Sequence, residues 1–327
     1  MLGERRPVGD LLHGRYRVDR ELGSGGMGAV FLATHVELDQ PVAIKEIGLD
    51  LFEPSARDSV MRQVYSEARL LSQLRHPRLP RVHDFFNTRN HFYLVMEFVE
   101  GITLDDHLLS VGPASEMQTL GWAAELCDVL AYLHGLDPPV IYRDLKPSNV
   151  MLEPDGHLKL IDFGIAKLLD PVTGEGTLTL ARGAGTHGFA PPEQYGSGTD
   201  ARADVYALGA TLYCVLTGEF PPESGARVSG AKRLQPVKAK RPDVSEPVAR
   251  AIETMMALKV SERPQGIGAA ASALGIARPN IAAAPTTRVR SPLAAPTASG
   301  SRWPLAFAIA VAGALLALVI ALLKLQF

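Results

Sequence analysis

The chain has 327 residues, with 33 basic and 35 acidic side chains, a formal net charge of −2 and 46% hydrophobic residues. That is enough apolar material for a sizeable core, and the 21% charged and 6% aromatic fractions exclude a wholly disordered chain. The near-zero charge argues against a nucleic-acid partner, because neutralising phosphates needs a basic surplus.

In chain order, residues 1–15 read as an N-terminal extension. No apolar run follows Arg5 and Arg6, so no secretory signal is expected, and the body of the chain is expected in the cytosol. From Tyr16, five segments rich in β-branched and aromatic residues predict strands at 16–22, 29–36, 41–47, 81–88 and 91–99. One helix, 59–74, interrupts them with apolar residues at helical spacing. From Thr119 onward the pattern is mostly helical, as in 120–136 and 204–218. A small β-rich lobe followed by a larger α-rich one is an α+β arrangement. The two cysteines, Cys127 and Cys214, sit in apolar helical runs and read as small buried residues.

Past 275 the chain changes character. Of the 27 residues in 276–302, 18 are Ala, Pro, Ser, Thr or Gly, which reads as a flexible linker. Its arginines are either incidental or available to anionic headgroups. Residues 303–323 hold no charge and no Asn, Gln, Ser or Thr. At 1.5 Å per residue a helix of that length spans about 31 Å, the thickness of a bilayer core. Arg302 and Lys324 bracket it, and the excess of arginine upstream places the N-terminal side in the cytosol. Residues 324–327 are then a short tail outside, and the expected location is a cell membrane crossed once.

Four stretches carry chemistry. Leu22-Gly23-Ser24-Gly25-Gly26-Met27-Gly28-Ala29-Val30 lies between two predicted strands, and its glycines allow backbone N–H groups close to phosphates. A strand follows it, so a hairpin over phosphates fits better than a dinucleotide fold. Val42-Ala43-Ile44-Lys45 puts a lysine at the end of an apolar strand, where it needs a partner, and Glu67 on the predicted helix faces that strand. Tyr142-Arg143-Asp144-Leu145-Lys146-Pro147-Ser148-Asn149 gathers an acid, two bases and an amide, which suits a proton acceptor beside a metal ligand. Asp162-Phe163-Gly164 ends an apolar strand with a carboxylate able to bind Mg²⁺ through oxygen.

In this order and at these separations, the motifs resemble the eukaryotic-like, bacterial-type Ser/Thr protein kinases, over residues 16 to about 275. The resemblance implies a bilobal protein-kinase fold, with a small lobe at 16–98 and a large one at 99–275, followed here by one transmembrane helix. It implies ATP with Mg²⁺, or Mn²⁺ in its place, and protein acceptors. Residues 22–30 then cover ATP, Lys45 holds its α and β phosphates and pairs with Glu67, and Val30 and Ala43 pack on the purine. Met96, Glu97 and Val99 belong to the adenine-binding hinge, with Met96 as gatekeeper. Asp144 orients and deprotonates the acceptor hydroxyl, Lys146 steadies the γ-phosphate, and Asn149 and Asp162 hold the metal. Thr186 sits in the loop that receives the acceptor. Glu193, Asp204 and Arg263 resemble architectural residues. Tyr142 replaces a histidine of the family and is expected to keep its packing role. Arg143 implies a phosphate on the activation loop, with Thr173, Thr177 and Thr179 as candidate acceptors beside the reading of ordinary loop threonines. His76 and His134 read as packing or turn residues.

The expected function is therefore a membrane-anchored Ser/Thr protein kinase regulated by phosphorylation of its own activation loop, with no extracytoplasmic sensor domain expected in this chain, and acting in homodimeric pairs. The alternative is a membrane-tethered pseudokinase or scaffold that binds nucleotide or partners without phosphotransfer. Such proteins usually lack one of Lys45, Asp144, Asn149 and Asp162, and all four are present.

Overall fold

A computed structural model describes residues 7–25, 28–49, 57–88, 90–162, 188–195 and 200–277. The expected linker beyond Ala277, the apolar segment 303–323 and the tail 324–327 lie outside the described residues. So do Gly26, Met27, Thr173, Thr177, Thr179 and Thr186. Among the described residues no helix is long and apolar enough to cross a membrane.

The small lobe is an antiparallel sheet of six strands: β1 (Leu11–Leu12), β2 (Tyr16–Gly25), β3 (Gly28–His35), β4 (Gln40–Gly48), β5 (Val82–Asn87) and β6 (His91–Glu97), in the order β1-β2-β3-β4-β6-β5. Side chains alternate across it. Ile47, Phe92 and Leu94 face helix α1 (Arg57–Gln73), which meets them with Val60, Val64, Ala68 and Leu71, a stripe at helical spacing. Val42, Ile44, Tyr93 and Val95 face the other way and form a second core with Val18, Phe31 and Phe86. Residues 7–15, read from the sequence as an extension, join this sheet. Gly9 N donates to Val18 O and Val18 N to Asp10 O. Leu12 and Tyr16 roof the second core, where the Tyr16 and Phe86 rings stack at 6.0 Å. Asp84 ties the roof down, accepting from Arg15 Nη2 at 2.7 Å and from the Tyr16 hydroxyl at 3.1 Å.

The large lobe contains α2 (Leu104–Ser110), α3 (Glu116–His134), α4 (Ala201–Thr217), α5 (Ser224–Val228), α6 (Val237–Lys240), α7 (Glu246–Met255) and α8 (Ile267–Ala273). Fourteen consecutive residues of α4, Ala203 to Leu216, are buried, as befits an apolar helix with neighbours all round. Asp200 caps its start and Gly218, at φ +74°, ends it. Cys127 and Cys214 are free and buried, and burial pushes both thiols up to about 12, so neither serves as a nucleophile. A three-stranded sheet, β7 (Ile102–Thr103), β8 (Val150–Leu152) and β9 (Leu158–Leu160), lies between the helices and the small lobe. Its strands are too short to stand alone, and they serve to carry the loops beside them.

Candidate active site

The small-lobe wall of the site is set by register. Val30 pairs with Lys45, Ala43 with Met96 and Lys45 with Leu94, and residues directly opposite in a ladder share a face. Val30, Ala43, Lys45 and Met96 therefore line one surface, which brings together the residues that the resemblance assigns to the purine (Val30, Ala43), the gatekeeper position (Met96) and the phosphates (Lys45). Leu22, Gly23 and Ser24 lie on the β2 arm of the hairpin, with Gly23 opposite Val30 and Ser24 opposite Ala29. Gly28 is required where it stands: its φ is +154°, and a Cβ there would lie 1.8 Å from Glu46 O. A narrow pocket lined by Lys45, Leu71, Val82, Leu94, Met96 and Asp162 opens below. At its edge Glu97 pairs with Lys159 of β9 and accepts from Arg81 N at 3.1 Å. Burial pushes the Glu97 carboxyl up, but these two donors outweigh it and hold it below the usual range. Val99 is buried just beyond.

The opposing wall is the loop from Tyr142 to Asn149. Its backbone hangs on Asp204, which is fully buried in α4. Asp204 accepts from Tyr142 N at 2.8 Å and Arg143 N at 2.7 Å, and His134 Nε2 lies 2.8 Å away. A buried carboxylate stripped of such donors costs several kcal/mol, roughly, so the loop and the helix hold each other. His134 is thus a member of the anchor, more than a packing residue. Its signal in the sequence was faint: a polar side chain at the end of an otherwise apolar helix. His76 packs on Tyr132 and lies 3.2 Å from Asp128, and burial lowers its pKa.

Within the loop, Asn149 Nδ2 donates to Asp144 O and to Asp144 Oδ2, both at 2.9 Å. Lys146 Nζ lies 3.4 Å from the same Oδ2. Asp144 and Asn149 are buried and fixed by one another, so the carboxylate is pre-positioned before any substrate arrives. Ile161 N donates to Asn149 O at 2.9 Å, which sets Asp162 beside this group. Tyr142 adds a brace that its expected packing role did not include. Its hydroxyl donates to Ile161 O at 2.5 Å, and burial raises its pKa well above 10. It remains a donor across the physiological range.

Arg143 and Asp162 both have positive φ, +64° and +61°. Non-glycine residues there store about 1–3 kcal/mol each and persist only where the surroundings over-determine them. Asp204 and Gln194 do this for Arg143, through its N–H and, at 3.0 Å, its carbonyl. Tyr142 and Asn149 do it for Asp162 through the residue before it.

The expected pair between Lys45 and Glu67 is not formed. Lys45 Nζ pairs with Asp162 Oδ1, and Glu67 Oε2 is buried without a hydrogen-bond partner. One ammonium faces two carboxylates. Asp162 is two-fifths exposed, whereas Glu67 is buried, and that burial pushes its carboxyl from 4.5 up to about 8, against the opposing charges of Lys45 and Arg143. At neutral pH Glu67 is mostly protonated and competes poorly for the lysine.

Behind the site, Arg263 makes two parallel bonds to Glu193, at 2.5 and 2.9 Å, and donates to the carbonyls of Ala257, Leu258 and Arg202. This is the architectural pair expected of these residues. Among the described residues no group of three or more His, Cys, Asp or Glu gathers as a metal cluster. The Asn149 amide oxygen and the Asp162 carboxylate are hard oxygen donors, the type that Mg²⁺ takes two at a time beside substrate phosphates, so the residues present fit that ion.

Comparison with known proteins agrees with this geometry. The protein kinase domain family matches residues 16–274. Serine/threonine-protein kinase pkn2 of Myxococcus xanthus is 36% identical over 284 residues, covering 84% of this chain and 34% of that protein. Serine/threonine-protein kinase PrkC of Bacillus subtilis is 34% identical over 230 residues, covering 70% and 34%. The chain therefore spans about a third of the length of these curated relatives. Among solved structures, the apo form of PpkA-294 superposes with a TM-score of 0.67 at 26% identity, covering 82% of this chain and 99% of that one. The PknI kinase domain of Mycobacterium tuberculosis, at 24% identity and a TM-score of 0.64, shares the fold.

Proposed function

Because the chain belongs to the protein kinase family, we propose that it transfers the terminal phosphate of ATP to serine or threonine hydroxyls of proteins. The observation that supports this best is the union of Asp144, Asn149 and Lys146 on one anchored loop with Asp162 and Lys45 beside it. In this reading Asp144 accepts the hydrogen bond of the acceptor hydroxyl and takes its proton as the new P–O bond forms, while the bond from the γ-phosphorus to the β–γ bridging oxygen breaks and ADP leaves with that oxygen. Lys146 neutralises charge on the transferred group. Lys45 exchanges Asp162 for the α and β phosphates, and Asn149 and Asp162 hold the metal. Mg²⁺, when bound, supplies charge neutralisation between the phosphates. The protein's share is positioning and electrostatics, which phosphoryl transfer chiefly needs. The four retained catalytic side chains speak against a scaffold without catalysis.

We read residues 303–323 as a membrane anchor that keeps the kinase domain on the cytosolic side and concentrates copies for phosphorylation of activation-loop threonines in trans. The test is transfer of labelled phosphate from ATP with Mg²⁺ by the full chain, beside Asp144→Asn and Lys45→Met, with sites mapped by mass spectrometry. Loss of a general base lowers rate about 10²–10⁴-fold. Label at Thr173, Thr177 or Thr179 that vanishes in both variants bears the reading out. Transfer undiminished in Asp144→Asn refutes it.

A further inference from the structure

Strand β9 delivers Asp162 to the site, yet it is the outer strand of its three-stranded sheet. It pairs with β8 on one side only, with Val150 opposite Leu160 and Leu152 opposite Leu158. On its other side Leu158 and Leu160 are buried and turn their N–H groups to where no strand lies. A buried N–H needs an acceptor. Leu158 N donates to Glu125 Oε2 and Leu160 N to Arg78 O, both at 2.9 Å. A carboxylate of the large lobe and a carbonyl of the small lobe thus stand in for a fourth strand.

The two acceptors are fastened to each other. Arg78 Nε lies 3.0 Å from Glu125 Oε2, the oxygen that Leu158 N uses. His157 Nδ1 closes the group, 2.8 Å from Glu125 Oε1 and 3.0 Å from Arg78 Nη2. The Arg78 and Glu125 side chains are 20% and 22% exposed, so salt screens their pair less than one in open solvent. The turn that carries Arg78 is itself seated on α3. Arg75 N donates to the Tyr132 hydroxyl at 2.9 Å, and His76 Nε2 lies 3.2 Å from Asp128. Glu125, Asp128 and Tyr132 follow one another at helical spacing and share a face of α3. Beyond Leu160 the chain reaches Asp162, whose positive φ persists only if its flanks are held. Tyr142 and Asn149 hold Ile161 from the large lobe. Arg78 brings in the small lobe, to which Lys45, the partner of Asp162, belongs.

We propose that Arg78 and Glu125 are positioning residues for phosphotransfer: they fix β9 against both lobes and so set where the Asp162 carboxylate is offered to Mg²⁺ and to Lys45. The proposal rests on the phosphotransfer reading and adds to its site two residues outside the four motifs. Partners that orient a metal ligand from behind contribute about 10–100-fold to affinity or activity. Here the orientation passes along a strand, from the N–H groups of Leu158 and Leu160 to the carboxylate that follows them.

The test compares the full chain with Glu125→Ala, Glu125→Gln and Arg78→Ala. Glutamine keeps an acceptor for Leu158 N and loses the charge, whereas alanine loses both. Three quantities are read: the Mg²⁺ concentration that half-saturates binding of a fluorescent N-methylanthraniloyl-ATP, KM for MgATP and kcat with a mixed Ser/Thr peptide library, and hydrogen–deuterium exchange over residues 157–162. Glu125→Ala is expected to raise half-saturating Mg²⁺ and KM about tenfold, with kcat changed less than about threefold and with faster exchange at Leu158 and Leu160. Glu125→Gln is expected to recover most of each loss, and Arg78→Ala to fall between the two. Faster exchange in Glu125→Ala with unchanged half-saturating Mg²⁺ makes the pair structural only and overturns the proposal, leaving the kinase reading intact. Equal impairment in the alanine and glutamine variants of Glu125 overturns it as well. If Glu125→Ala shows no cooperative melt by circular dichroism, Arg78→Ala decides, since it keeps the carbonyl that Leu160 N uses: parent-like half-saturating Mg²⁺ overturns the proposal and a raised value supports it. A parent that binds the nucleotide with Mg²⁺ and transfers no phosphate overturns the kinase reading, and with it the role in phosphotransfer.

Discussion

Replacing Glu67 by glutamine removes a charge that the interior of the small lobe penalises. In the folded protein burial raises its carboxyl from 4.5 to about 8. The folded state therefore binds a proton more tightly than the unfolded chain, and folding draws stability from protonation. That contribution is full below about pH 4.5, falls as pH rises and is gone once pH passes about 8. At about 1.4 kcal/mol per pH unit, the loss is roughly 3 kcal/mol by pH 7 and about 5 kcal/mol by pH 8. Glutamine keeps the shape without the charge, so Glu67→Gln should unfold at higher urea than the parent at pH 8. The two should converge as pH falls toward 5. The assay is urea unfolding followed by circular dichroism at several pH values, with the difference between the two proteins as readout. The same variant is expected to lose phosphotransfer, because the resemblance to active kinases implies an ionised partner for Lys45. A difference in unfolding free energy that does not change between pH 5 and pH 8 refutes the argument.

Two further substitutions probe the anchors. Tyr142→Phe deletes the hydroxyl bonded to Ile161 O and leaves a carbonyl short of a donor, at a cost of about 1–3 kcal/mol. A lower melting temperature together with a higher KM for MgATP is expected, because Asp162 follows the freed carbonyl. Arg263→Met leaves Glu193 without its two bonds in a largely covered site, and a loss of about 3–5 kcal/mol is expected in urea unfolding.

The five long strands, the helix against them and the chemistry-bearing motifs were legible in the sequence because each is local. Alternation over seven or more residues and a fixed spacing of glycines, lysine and carboxylates survive without knowledge of the neighbours. The two-residue strand Leu11–Leu12 was not legible, since alternation needs more length than that. Its place is fixed by Tyr16 and Asp84, which are remote in sequence from one another. The brace from Tyr142 to Ile161 was hidden for a related reason. An aromatic side chain at that position announces bulk, and only the fold shows what its hydroxyl meets.

The partner of Lys45 depends on a balance that sequence does not carry. Both carboxylates were named from the motifs, and the choice between them turns on how much water each retains. Asp162 keeps solvent at its carboxylate, and Glu67 loses it under α1. A lysine paired with Asp162 occupies a group that the resemblance assigns to metal, and one paired with Glu67 leaves that group available. Deprotonating Glu67 favours the second arrangement and costs most of what protonation contributes to stability. The same buried carboxyl thus opposes stability to readiness for catalysis, and Glu67→Gln separates the two by retaining the first and removing the second.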